Sequence, residues 1–229
     1  MSRRRDTDRF YEIMMHLEKR VDGTRCLVNC IGSMDWPKQG AYFFFEGGET
    51  RKTGELRVVR VGTHAVSQNS KTRLWDRLRT HRGTLSGKYR GGGNHRASVF
   101  RKLVGSAIIQ REHLQCDNWD VGQSAKECVR KAEHYIEVKA SNYIIHLPFL
   151  WIQAEDKASP NSIRAVIERN TIALLSNFNK HEIIDPSTPN WLGLHSPSER
   201  VRHSGLWNQN HVDEEYDPQF LDAFDNLVF

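Results

Sequence analysis

The sequence predicts an α+β fold, on three observations. In "GAYFFFEGGETRKTGELRVVRVGTH" two β-rich runs flank a polar connection containing Gly47, Gly48 and Gly54, the pattern of an antiparallel hairpin. The apolar stretch "YIEVKASNYIIHLPFLWIQA" supplies one or two further strands. Segments of helical spacing surround these runs, clearest near both ends of the chain and in "SPNSIRAVIERNTIALLSNF".

Taken in order, Phe10, Ile13, Met14, Leu17 and Val21 recur at helical spacing, so an amphipathic helix opens the chain and stops near Gly23. "RCLVNCIG" is a short apolar run of either type. After the hairpin, "SKTRLWDRLRTHRG" reads as a short basic helix: Leu74 and Leu78 are four apart, Gly83 stops it, and Arg77 and His81 share a face. "GKYRGGGNHRASVFRKLVGSAII" begins as a glycine turn and continues as a second basic helix. In "SPNSIRAVIERNTIALLSNF", Ser159 is expected as the N-cap with Pro160 in the first turn. Its apolar stripe is Ile163, Val166, Ile167 and Leu174, with Glu168 beside it. A turn-rich, aromatic stretch leads to a last helix whose buried side is Phe220, Leu221, Phe224 and Leu227. One unit over 1-229 is expected, with a helical segment at 1-35, a core at 36-180 and a C-terminal extension at 181-229.

A chain of 229 residues, 38% hydrophobic with six Trp and ten Phe, is too rich in core formers to be disordered. Its longest apolar stretch is interrupted by His146 and Pro148, which argues against a bilayer helix. The basic N-terminus carries Asp6, Asp8 and Glu12, unlike a targeting peptide, so a cytoplasmic location with no membrane partner is the expectation. Cys26, Cys30, Cys116 and Cys128 form no CxxC pair and read as reduced thiols.

The net charge of +5 is unevenly placed. From Arg60 to Arg111 there are twelve Lys or Arg against one acid, Asp76, a local +11. No base follows Arg202, whereas Asp213, Glu214, Glu215, Asp217, Asp222 and Asp225 do. Charge runs are commonly solvated helix faces. A run this one-sided repels itself, and a phosphate backbone would relieve the repulsion by counterion exchange. Nucleic acid is the expected partner.

Singly, the polar candidates are unremarkable. Tyr42 in an aromatic strand is commonly packing, Arg77 and His81 could meet only solvent, and Glu168 could pair with Arg164 four residues earlier. In order they form a pattern: Gly40-Ala41-Tyr42, then Arg60-Val61-Gly62-Thr63-His64, then Arg77 and His81 one turn apart, then Glu168, with Asn177 nine positions on. This series resembles the GIY-YIG nuclease family over roughly Gly40 to Asn179. The wording "AYFFFE", "RVGTHA", "LWDRLRTHRG" and "GNHRASVFR" is similar to stand-alone, restriction-endonuclease-like bacterial members.

The resemblance implies a small three-stranded antiparallel sheet flanked by helices, and hydrolysis of DNA phosphodiesters with one divalent metal, Mg²⁺ or Mn²⁺. By position, Tyr42 matches the tyrosine of the first motif, Gly62 the glycine of the second, Arg77 the helix arginine, His81 the following histidine and Glu168 the metal-binding glutamate. Asn177 is a looser match to a late asparagine, with Asn179 its rival. The second motif's tyrosine is replaced by Arg60, so either Arg60 or His64 takes part of its role or the second motif is only structural. A polar insertion, "VSQNSKT", follows that motif.

The chemistry asks for these types. Water must lose a proton, and the extra charge on phosphorus must be neutralised. A carboxylate can hold Mg²⁺, which keeps most of its waters. Arginine offers a fixed fork of donors to phosphate oxygens. A phenol is a weak base near neutral pH, with a pKa of ~10, until cationic neighbours assist it. Asn94, His95, Arg96 and Arg101, after the glycines at 91-93, are expected to reach the DNA backbone. Symmetric cutting of both strands would favour a homodimer. The alternative is a non-catalytic nucleic-acid-binding module on the same fold.

Overall fold

The computed structural model describes residues 2–66 and 70–229; part of the "VSQNSKT" insertion lies outside the described residues. Helix α1 (Arg3–Arg20) starts at Ser2, whose side chain accepts from the Arg5 amide, and buries Phe10, Ile13, Met14 and Leu17 as its spacing predicts. It is followed by β1 (Arg25–Cys26), β2 (Gly40–Thr50) and β3 (Leu56–Thr63), then α2 (Leu74–Arg82), α3 (Val99–Glu112) and α4 (Glu127–Ile144). The chain continues through β4 (Pro148–Gln153), α5 (Ile163–Leu175), α6 (Glu199–Ser204) and α7 (Phe220–Val228). No described helix is long and apolar enough to cross a membrane.

The fold is α+β, with an antiparallel sheet ordered β1-β4-β2-β3. It has four strands, not three. The extra one is β1, whose Arg25 and Cys26 pair with Phe149 and Pro148. Two residues have no periodicity to read. The hairpin turn is also shorter than expected: β2 runs through Gly47 and Gly48, and Arg51 to Glu55 make the reversal, closed by an Arg51 N–H to Glu55 carbonyl bond of 2.8 Å.

The second correction is larger. Tyr135 to Ile144, expected as strand, is the end of α4, and only Pro148–Gln153 is extended. The inward face of α4 alternates apolar Ile136, Ala140 and Ile144 with buried Glu133 and Glu137, so an apolar stripe could not be seen. Helix α5 starts later than expected, at Ile163 after Ser162; Ser159 instead accepts from the Asn161 amide.

Strand alternation divides the aromatic run of β2 between two cores. Phe43 and Phe45 pack with Phe10, Met14, Leu17, Ile167 and Phe224 on the side of α1, α5 and α7. Tyr42 and Phe44 pack with Val59, Leu78, Phe100, Phe149, Trp151 and Trp207 on the side of α2, α3 and α4. A register shift between Phe44 and Phe45, opposite Arg60 and Val58, leaves Val59 as an extra residue in β3. Arg60, opposite Phe44, thereby projects toward the second core, with its guanidinium 5.6 Å from the Phe100 ring centre.

Candidate active site

Two glycines set Tyr42 in place. A Cβ at Gly40 would collide with the Ile152 carbonyl of β4, so glycine lets β2 and β4 close at that pair. Gly62 lies opposite Tyr42 in the β2–β3 ladder, and a Cβ there would collide with the Tyr42 hydroxyl. The glycines of both motifs therefore have steric causes.

The Tyr42 hydroxyl lies 2.7 Å from His81 Nε2, and His81 Nδ1 lies 2.8 Å from Ser98 Oγ. Tyr42, His81 and Ser98 are all buried. Ser98 also caps α3 by accepting from the Arg101 amide at 3.2 Å. With Nδ1–H directed to Ser98, Nε2 keeps the lone pair that accepts the Tyr42 proton. Burial holds the His81 pKa well below its usual value, and Arg77, Arg60 and Arg101 push in the same sense, so the ring is neutral. Ser98 is a site residue that the sequence reading missed; its signal was a helix-capping serine.

Arg60 is buried, and one of its terminal nitrogens donates to the Trp207 carbonyl. Its Nε has no partner among the described residues. Burial pulls its pKa down, while Tyr42 and Glu168 act in the opposite sense, so both lie within its field. Arg77 is half-buried and makes one long bond, 3.3 Å, to the Ala97 carbonyl, and its Nε is likewise unpartnered. Both guanidinium groups thus keep an Nε donor that no described residue of the protein uses.

Glu168 reaches the same space from α5. Its Oε1 accepts from the Thr63 amide at 3.2 Å, at the end of β3. Arg164 does not pair with it; that side chain is buried on the His64 and Ala65 carbonyls and Asp156. Burial raises the Glu168 pKa, opposed by Arg60, His211, the Thr63 amide and Arg77. His211, in the loop before α7, is a second residue the sequence reading missed, since nothing in its spacing marks it. His64 is buried, with Nε2 3.2 Å from the Lys38 carbonyl and Nδ1 without a partner among the described residues. Burial lowers its pKa to about 4, with Arg164 and Arg77 acting in the same sense.

Among the described residues no group of three or more His, Cys, Asp or Glu side chains is poised for a metal. A lone carboxylate fits Mg²⁺ or Mn²⁺ nonetheless, because such ions retain several waters and take one or two protein ligands.

The other expected substrate contacts are engaged within the protein. Arg101 is fully buried on Glu137, Ser141 and the His81 carbonyl. His95 is buried between Glu137 and the Trp119 ring, 3.9 Å away. Arg96 forms a two-pronged pair with Glu133, both bonds 2.7 Å, and Asn94 caps the short 3-10 helix His95–Ala97 by accepting from the Arg96 amide. Asn177 uses both ends of its side chain on Ile184 and Arg3. Asn179 lies in the left-handed region at φ +54°. The twelve-cation run is therefore partly a set of internal counterions for buried acids.

Comparison with curated proteins and with solved structures returns no match. The family model described as the GIY-YIG domain matches residues 1–229, and the chain belongs to that family.

Proposed function

We propose that this chain is a divalent-metal-dependent endonuclease that hydrolyses DNA phosphodiester bonds. The observation that carries the reading is the Tyr42–His81 bond of 2.7 Å beside two arginines with unused donors and the Glu168 carboxylate. Family membership supports a nuclease. In this reading Tyr42 orients the attacking water and accepts its proton as its own passes to His81 Nε2. Arg77 and Arg60 donate to the phosphoryl oxygens, where negative charge grows as the bond to water forms. Glu168 would hold Mg²⁺ or Mn²⁺, and such a cation would supply Lewis-acid stabilisation of the growing negative charge.

The test is cleavage of plasmid and of short duplexes with Mg²⁺ or Mn²⁺. Wild-type protein is expected to cut, Tyr42→Phe to slow by about 10²- to 10⁴-fold, and Arg77→Ala by about 10²- to 10³-fold. Glu168→Ala is expected to abolish cutting, and cleavage that survives it overturns the site assignment. The complete burial of Tyr42 favours a second reading, a non-catalytic nucleic-acid-binding module, because the hydroxyl must be reached by water. Salt-sensitive duplex binding by the wild type without any cutting would select that reading.

A further inference from the structure

The loop that follows Trp207 is tied down along the rim of the site. The Trp207 amide donates to the Val59 carbonyl at 2.6 Å, and the Trp207 carbonyl accepts from Arg60. Asn208 bonds both backbone groups of Val61 in β3, at 3.1 and 2.9 Å, two residues from the Thr63 amide that holds Glu168. Further on, Ser176 Oγ donates to the Val212 carbonyl, Glu214 pairs with Arg169 on α5, and the Asp217 amide donates to Asn170. Arg169 and Asn170 directly follow Glu168. His211 thus sits between one anchor at β3 and one at α5, the two elements that position the Glu168 carboxylate.

His211 is held firmly. Its φ is +65°, a left-handed conformation that a non-glycine residue keeps only when its surroundings fix it. Its Nδ1 lies 2.8 Å from Glu214 Oε1. With Nδ1–H given to that carboxylate, the Nε2 lone pair is free, the arrangement of a metal-ligating histidine oriented by an acid behind it. The side chain is 32% exposed, so water and ions can reach it. Arg60, Arg77 and His211 all lie within the field of the Glu168 carboxylate, and with two cations beside it that carboxylate alone would hold a dication weakly. An imidazole oriented by Glu214 adds a neutral nitrogen donor.

We propose that His211 is a second protein ligand of the divalent cation, beside Glu168; this rests on the reading of Glu168 as its first ligand. The test uses Mn²⁺ alone with the full chain, without DNA, read by electron spin-echo modulation and by titration. Bound Mn²⁺ is expected to show coupling to one imidazole nitrogen. His211→Asn keeps a residue that tolerates positive φ; it should lose that coupling and weaken Mn²⁺ affinity by at least about tenfold. Glu214→Gln should keep the coupling with a smaller loss of affinity, and His203→Ala, an exposed histidine, should change neither. Mn²⁺ released by Glu168→Ala but bound without nitrogen coupling, and unaffected by His211→Asn, overturns this inference while leaving Glu168 as a ligand. Equal binding by Glu168→Ala removes the reading on which it rests.

Discussion

At the scale of single residues, the site combines a tightly packed tyrosine with groups kept short of partners. Gly62→Ala would drive a Cβ into the Tyr42 hydroxyl and break its bond to His81. The expected result is a loss of about 1–3 kcal/mol by urea denaturation, the usual size for overpacking, with cleavage falling further than folding explains. Arg60→Met should act oppositely on the two readouts. It removes a buried charge that has no carboxylate partner among the described residues, so stability should hold or rise, while turnover falls by about 10²- to 10³-fold for a lost charge-stabilising donor. His64 adds a pH signature. Its folded pKa of about 4 lies below its usual 6.5, so its neutral form stabilises the fold fully above pH 6.5, and that contribution is lost as pH falls toward 4. The loss is roughly 3 kcal/mol for a shift of this size, and urea midpoints in His64→Gln should depend less on pH across that window.

At the scale of elements, α4 shows what the sequence could and could not disclose. Periodicity located α1, α2, α5 and α7, because each turns an apolar stripe to a core. It failed at α4 because Glu133 and Glu137 occupy inward positions, and an acid on a buried face becomes intelligible only once Arg96, His95 and Arg101 are seen against it. The candidate site divides in the same way. Tyr42, Gly62, Arg77, His81 and Glu168 sit on regular elements at motif spacing, whereas Ser98 and His211 come from a cap and a loop that only tertiary contact brings near. The buried acid also has a measurable role. Burial would raise the Glu137 pKa, but bonds from His95 and Arg101 outweigh it and hold the carboxylate below its usual range. Glu137→Leu leaves Arg101 buried without its carboxylate and should cost about 3–5 kcal/mol, while adding Arg101→Leu should recover much of it. Arg101 also bonds the His81 carbonyl, so the single variant should disturb α2 and lower cleavage as well.

At the scale of the whole molecule, the charge segregation of the sequence is largely internal. The acidic end is tied to bases elsewhere: Asp213 to Arg200, Glu214 to Arg169, Glu215 to Lys180 and Asp222 to Arg9. In the basic run, Arg60 and Arg101 are buried, Arg79, Lys88, Arg96, Lys102 and Arg111 have acidic partners, and Arg82 donates to the Cys30 carbonyl. What remains for a phosphate backbone is chiefly Lys71, Arg73 and Arg90 on the surface, with half-buried Arg77 at the site. This makes the salt dependence of duplex binding a quantitative check. Four phosphate contacts give a slope of log affinity against log salt near −3.6, a loss of roughly 150-fold between 50 and 200 mM. Twelve contacts would give a slope near −11 and a loss above about 10⁶-fold over the same range. A slope near the smaller value, reduced by about one in Arg73→Ala or Arg90→Ala but not in Arg96→Gln, fits a cation run divided between fold and substrate. A slope near the larger value would require the buried ion pairs to open when DNA binds.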